Sequence, residues 1–189
     1  GGRWDTQLRK ADWSAYDRAD ELPAIARGKE LVDRMDTGYR EDERAHARTA
    51  ETRGAGYLFF DVLALREGDA QPMVEGGRCV DISESFDLDV PVGEDALLVL
   101  RTTQKVYFTG YDFLFYEDQF RDYPDEMRIE VDVNGSRECE VCVRTRPGFF
   151  TDVGIPVSGR NFTSGRARFT LRGRFASCGY WLVKPKRHL

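Results

Sequence analysis

The sequence predicts an all-β fold with an N-terminal helix, its strands arranged as an antiparallel two-sheet β-sandwich of jelly-roll type. Two observations carry this. After Gly56 the apolar residues recur with a period of two, so each strand has one buried and one wetted face, which is the pattern of antiparallel sheets. From there on, roughly eight such segments follow one another with no helical pattern between them, which favours two packed sheets over an α/β arrangement.

The first 56 residues read differently, and the chain divides into an N-terminal helical segment with a polar connector (1–56) and a β-sandwich domain (57–189). Pro23 follows the acidic pair Asp20 and Glu21, and Leu22, Ile25, Ala26, Val32 and Met35 recur at helical spacing, so one amphipathic helix is expected up to Asp36. Gly28 weakens that helix by up to about 1 kcal/mol relative to Ala, so packing on the sheet must hold it. From Tyr39 to Arg53 the residues are almost all polar, which reads as an exposed connector. The chain starts at Gly1 and Gly2 without an initiator Met or a signal-peptide pattern. A processed form, an excised domain or a tag remnant is expected, with any membrane anchor lost before residue 1.

Between Arg78 and Val90 the even positions Val80, Ile82, Phe86, Leu88 and Val90 are apolar, and the odd positions Cys79, Asp81, Ser83, Ser85, Asp87 and Asp89 are polar or small. Glu84 interrupts the apolar face. It marks a bulge, a break between two strands, or a carboxylate aimed into a site. Ile129, Val131 and Val133 alternate with charged residues, and Cys139, Val141 and Val143 do the same after Asn134-Gly135, which predicts a β-hairpin. Both apolar sets are odd-numbered, so residues facing one another sum to an even number, and a three-residue loop with a bulge is expected. Phe169, Leu171 and Phe175 face away from Arg168, Thr170, Arg172 and Arg174, and Tyr180 to Val183 forms a closing strand.

The net charge of −5 is unevenly spread. Residues 57–149 carry 9 Lys/Arg against 20 Asp/Glu, and residues 150–189 carry 8 against 1, so the two parts of the sandwich should attract each other. The basic end does not predict a nucleic-acid partner, because its arginines alternate with apolar residues as on a solvated sheet face. No segment approaches the ~20 apolar residues of a membrane span.

Catalytic material is thin. The two histidines, His46 and His188, lie in the connector and at the C-terminal end, so a His-based triad or His-rich metal site is not expected. No nucleotide, phosphate or nucleophile motif occurs, and no cofactor is expected. Cys139 and Cys142 have C-x-x-C spacing, but residues three apart on a strand face opposite ways, which argues against zinc or redox use. Cys79 and Cys142 fall on solvent faces. A bridge from Cys79 to Cys142 or Cys178 is conceivable, with four free thiols the expected state. Asn134-Gly135-Ser136 and Asn161-Phe162-Thr163 are glycosylation sequons, relevant only in a secreted glycosylating context.

The stretch most informative about function is 107–123, where Tyr107, Phe108, Tyr111, Phe113, Phe115, Tyr116, Phe120 and Tyr123 are interleaved with Asp112, Glu117, Asp118 and Asp122, and Asp125 follows. Flat rings stack on sugar faces, and carboxylates accept hydrogen bonds from sugar hydroxyls. The candidate ligand-binding residues are Tyr111, Tyr116 and Tyr123 for stacking, Asp112 and Asp118 as acceptors, and Arg101 to orient a carboxylate or donate to a ring oxygen. The competing reading places most of these rings in the core. Trp181 is a second candidate platform or a buried closing-strand residue. No metal is assigned, and Asp118, Asp122, Asp125 and Glu126 are the weaker candidates for a hard cation.

The runs Gly28-Lys29-Glu30-Leu31-Val32-Asp33-Arg34-Met35-Asp36, Glu43-Arg44-Ala45-His46, Leu98-Val99-Leu100-Arg101-Thr102, Ile129-Glu130-Val131-Asp132-Val133-Asn134-Gly135, Ile155-Pro156 and Tyr180-Trp181 follow in order along the chain. In this they resemble the soluble extracytoplasmic β-sandwich region of bacterial polytopic glycosyltransferase-like membrane proteins. The resemblance implies an extracytoplasmic module near glycan or cell-envelope chemistry, periplasmic, surface-bound or secreted, and it carries no catalytic residue to this chain. The function expected is therefore a non-catalytic carbohydrate-binding-like module whose partner is a glycan or an envelope protein. One alternative is an assembly subunit that binds a partner protein through residues 107–123. Another is a glycoside-active enzyme using two carboxylates across a cleft.

Overall fold

The computed structural model describes residues 22–52, 59–70, 72–108 and 120–187, with backbone alone at 59–63, 74, 105–108 and 120–122. Fourteen strands are present among them. In chain order they are β1 (Lys29–Met35), β2 (Thr49–Glu51), β3 (Phe59–Ala64), β4 (Met73–Val80), β5 (Ser83–Asp89), β6 (Ala96–Thr103), β7 (Lys105–Phe108), β8 (Phe120–Asp122), β9 (Glu126–Val133), β10 (Ser136–Arg144), β11 (Phe150–Val157), β12 (Arg166–Arg172), β13 (Phe175–Ser177) and β14 (Tyr180–Pro185). An α-helix, α1 (Arg40–Ala45), lies between β1 and β2. The pairings between strands are antiparallel, as the one-sided patterns require.

Two sheets form the sandwich, β1-β14-β6-β11 and β10-β9-β12-β5-β2. Their inner faces meet through Leu98, Leu100, Tyr180 and Leu182 on one side and Phe86, Ile129, Val131, Phe169 and Leu171 on the other, all fully buried. The rings of Phe86 and Tyr180 lie 4.2 Å apart, and those of Phe86 and Phe169 stack at 5.8 Å. A third sheet, β13-β4-β3-β7-β8, flanks the sandwich. The outer face of the five-stranded β10-β9-β12-β5-β2 sheet carries cross-strand ion pairs, Arg166 with Asp89 and Arg168 with Asp87 at 3.0 Å each, and Arg172 with Asp132. The basic C-terminal strand thus meets the acids of the preceding segment, as the uneven charge predicts.

The expected N-terminal helix is not formed. Pro23 opens a single 3₁₀ turn, Ala24–Ala26, which ends before Gly28 at φ +79°. Residues 29–35 then pair with β14 as a strand. The register slips at Val32, the extra residue of a bulge between Leu31 and Asp33. That slip turns both Val32 and Met35 to the core, so a bulged strand reproduces the i, i+3 spacing of a helix. The expected connector is exposed along most of its described length, but it is not without structure. It holds α1, in which Glu43 is buried, followed by buried His46 and by β2, which pairs with β5. β1 and β2, both before residue 57, hydrogen-bond to strands after it.

Two further expectations are corrected. The hairpin turn is the two-residue Asn134-Gly135 loop, with φ of +51° and +82°, and the extra residue sits in the strand, where the register slips between Arg137 and Cys139. The parity argument is satisfied by a bulge at Glu138 and needs no longer loop. Cys79 is fully buried, because β4 is covered on both faces. Cys178 is buried too, Cys142 is exposed, and all four cysteines are free.

Candidate functional site

Sequence reasoning singled out Glu84 as an interruption, and it is a fully buried carboxylate on β5 with no bulge. The strand break falls at Asp81 and Ile82, where the chain passes from the third sheet to the sandwich. Glu84 accepts from Arg48 Nε at 2.6 Å and from the Tyr180 hydroxyl at 2.5 Å. Burial raises the Tyr180 phenol well above its usual value, with Glu84 adding to the shift, so the phenol stays a donor.

Arg101 occupies a second polar node, on the outer face of β6. It is fully buried. Its Nε and Nη2 donate to Asp152 at 2.7 and 3.0 Å, directly across the ladder on β11, and its Nη1 donates to Glu75 at 2.7 Å. The guanidinium lies 4.9 Å from the ring centre of Trp181, itself 1% exposed. Burial pushes the Glu75 carboxyl up to about 7, with Arg101 opposing the rise. Arg101 is therefore a structural ion-pair centre and is not presented to a ligand. Trp181 is likewise an interior residue, packed with Ala26, Val99 and Val183 under the N-terminal 3₁₀ turn.

The other sequence candidates separate in the same way. Tyr123 is 2% exposed and belongs to the main core, so its ring offers no stacking face. Tyr111, Asp112, Tyr116 and Asp118 lie outside the described residues, as does the Asp122 side chain. Asp125 is exposed and accepts from Gln104, and Glu126 lies 3.0 Å from the Cys142 thiol, which donates to it. Among the described residues no group of acids, histidines and cysteines is arranged to hold a metal.

The residues that do converge were not singled out by sequence. A cleft of about 450 Å³ is bounded by the N-terminal turn (Ala24, Ile25, Arg27), the turn Arg66–Asp69, and the segment from Arg144 to Asp152. Arg146-Pro147-Gly148-Phe149 is a tight turn with Pro second and Gly148 third at φ +80°, closed by the Phe149 N–H donating to the Arg146 carbonyl. It brings the Arg146 guanidinium to 3.6 Å from the centre of the half-buried Phe149 ring. Leu65 fixes this turn from the side through two backbone hydrogen bonds, to Gly148 and from Phe150. The cleft's carboxylates are mostly engaged. Asp69 accepts from Arg66 at 2.8 Å and Asp152 from Arg101, leaving Glu67 as the remaining acid of the lining. The cleft adjoins the end of the aromatic stretch, because the Thr145 N–H on its wall donates to the Asp125 carbonyl at 2.8 Å. A Pro-Gly turn between an Arg and a Phe was the signal available in the sequence, and it is too common to stand out.

His46 forms a third polar cluster. Its Nδ1 donates to the Asp42 carbonyl at 2.6 Å and its Nε2 to Asp33 at 3.2 Å, an arrangement that needs both ring protons. The Asp33 carboxylate, then the Asp42 carboxylate 3.4 Å from Nδ1, raise its pKa from 6.5 to about 10, against the effect of burial. A raised folded pKa means the stabilisation is complete below pH 6.5 and is lost as pH climbs towards 10. With screening at the partly wetted carboxylates, a loss of about 2 kcal/mol is expected across that window. Urea unfolding at a series of pH values should show this decline, and His46→Gln should remove it.

No described helix is long and apolar enough to cross a membrane. No protein family's pattern matches the sequence, and no curated protein is similar to it. Comparison with solved structures gives distant likenesses. The chain is similar to a family 35 carbohydrate-binding module from Clostridium thermocellum, at 9% identity over 66% of this chain and 89% of that one, with a TM-score of 0.38. It is also similar to a carbohydrate-binding module of the Cellvibrio mixtus lichenase 5A, in complex with cellotriose, at 8% identity over 82% and 99% of the two chains, with a TM-score of 0.45. A third is the exo-β-1,3-galactanase of Phanerochaete chrysosporium, at 9% identity over 71% of this chain and 29% of that one, with a TM-score of 0.37. None of these findings supports the resemblance to glycosyltransferase-like membrane proteins.

Proposed function

We propose that this chain is a non-catalytic carbohydrate-binding module with an extracytoplasmic setting, and that the cleft at Phe149 is part of its glycan site. The observation that carries the reading is the cleft's composition. One half-buried ring, capped on a face by Arg146, lies among side chains of fixed polarity at Arg27, Glu67, Arg144 and Thr145, which suits a ligand that is flat and apolar on its faces and hydroxylated at its edges. The volume, about 450 Å³, suits a few sugar rings. Tyr111 and Tyr116 as stacking rings and Asp112 and Asp118 as acceptors belong to the same proposal, since their segment runs on to Asp125 at the cleft wall.

The engaged carboxylates favour binding over catalysis. A glycosidase needs two carboxyls free to exchange protons or attack carbon. Asp69 and Asp152 are each held by a guanidinium, so neither is free to serve as a general acid, base or nucleophile. Phe149→Ala is expected to weaken glycan binding by about 10- to 100-fold, corresponding to the ~1–3 kcal/mol of a stacked ring, and to leave the thermal midpoint nearly unchanged. Isothermal titration with a bound oligosaccharide, beside thermal unfolding, checks both. Equal affinity in the variant would remove this cleft from the site.

A further inference from the structure

A second hollow, of about 600 Å³, opens beside α1, away from the Phe149 cleft, and is lined by Arg40, Arg44, Arg48 and Arg78 with Glu43 and Thr49. Four guanidiniums and one carboxylate line it, an excess of positive charge in a chain whose net charge is −5. That carboxylate is already committed. Glu43 accepts from Arg78 through Nε at 3.0 Å and Nη2 at 2.7 Å, and from the Gly38 N–H at 3.2 Å. Arg48 is nine-tenths buried, and its Nε serves Glu84. Its Nη2 is buried with no hydrogen-bond partner among the described residues, a costly state for a cationic donor. Thr49 Oγ1 accepts from Arg168 Nη2 at 2.7 Å, which leaves its own proton to donate. Arg44, on α1, is exposed and lines the same hollow.

We infer that this hollow is a binding site for an oxyanion, the phosphate, sulfate or carboxylate group of a ligand, with Arg44 and Arg48 supplying the principal donors and Thr49 an additional one. A planar guanidinium fork matches two oxygens of such a group, and Arg48, part of the hollow's lining, keeps a donor, Nη2, that is still unsatisfied among the described residues. The site is independent of the glycan reading and would stand if the Phe149 cleft bound nothing.

The test is isothermal titration of the full chain, at constant ionic strength balanced with chloride, with inorganic phosphate, sulfate and glucuronate as separate probes. Arg44→Gln removes one exposed donor without touching the buried network, and Arg48→Lys keeps the charge facing Glu84 while deleting the fork. Arg160→Gln, on the remote 3₁₀ turn Gly159–Asn161, is the control. Saturable one-to-one binding, weakened about tenfold in the first two variants and unchanged in the control, is the expected result. Saturation by phosphate and sulfate alone assigns a tetrahedral group, and saturation by glucuronate as well extends the site to carboxylates. Absence of saturation with all three probes, or equal affinity in all three variants, overturns the inference.

Discussion

Arg101→Met is expected to lower the free energy of unfolding by about 3–5 kcal/mol, the range for removing one partner of a buried ion pair. Methionine replaces most of the stem volume, so the loss comes from charge. Glu75, 8% exposed, and Asp152 would be left facing each other without the guanidinium that now donates three hydrogen bonds to them. The deficit should depend on pH with a definite sign. Burial already pushes the Glu75 carboxyl up to about 7, and without the opposing cation it would rise further, so the variant regains part of its stability as pH falls and this acid becomes neutral. Urea unfolding of the two proteins at pH 5 and pH 8 measures this. Equal destabilisation at both values would mean that lost packing against Trp181 and Phe150, and not uncompensated charge, is the cause.

Phe86→Ala is expected to cost about 3–5 kcal/mol as well, by a different route. The ring is fully buried between the sheets and touches rings on both, Tyr180 of β14 and Phe169 of β12. Its removal leaves a cavity beside a buried hydroxyl–carboxylate bond, Tyr180 to Glu84. Truncating Phe86 should therefore couple to Tyr180→Phe, the double variant losing less than the two single losses combined. Chemical denaturation of the four proteins of that cycle reads the coupling directly. Strict additivity would mean that the Tyr180 hydroxyl is held by the Arg48–Glu84 pair without help from the aromatic stack.

The sandwich was legible because burial on one face leaves a period of two, and the even residues of β5 and the odd residues of β9 and β12 do face the core. Bulges were not legible. One extra residue at Val32 mimicked helical spacing, and one at Glu138 imitated a longer turn, since a sequence records parity but not where the ladder slips. Buried ion pairs were hidden for a related reason. The partners of Arg101, Glu84 and Glu43 lie from 26 to 96 positions away in sequence, so the pairings were not legible even where, as at Glu84, the residue itself stood out. The charged segment after Tyr39 was read as solvated, yet it supplies α1 and the walls of an arginine-lined hollow. The Phe149 cleft escaped notice because it is assembled from three separate turns, each ordinary alone.

The central claim, that this chain binds glycans through the Phe149 cleft, is tested most directly on a broad glycan array that includes bacterial envelope polysaccharides, with the Phe149→Ala variant probed alongside. Retained signal for the parent chain on a defined set of glycans, lost in the variant, is the result predicted. A blank array for the folded parent chain, with partner proteins recovered from its native extract instead, would contradict the account and favour an assembly role.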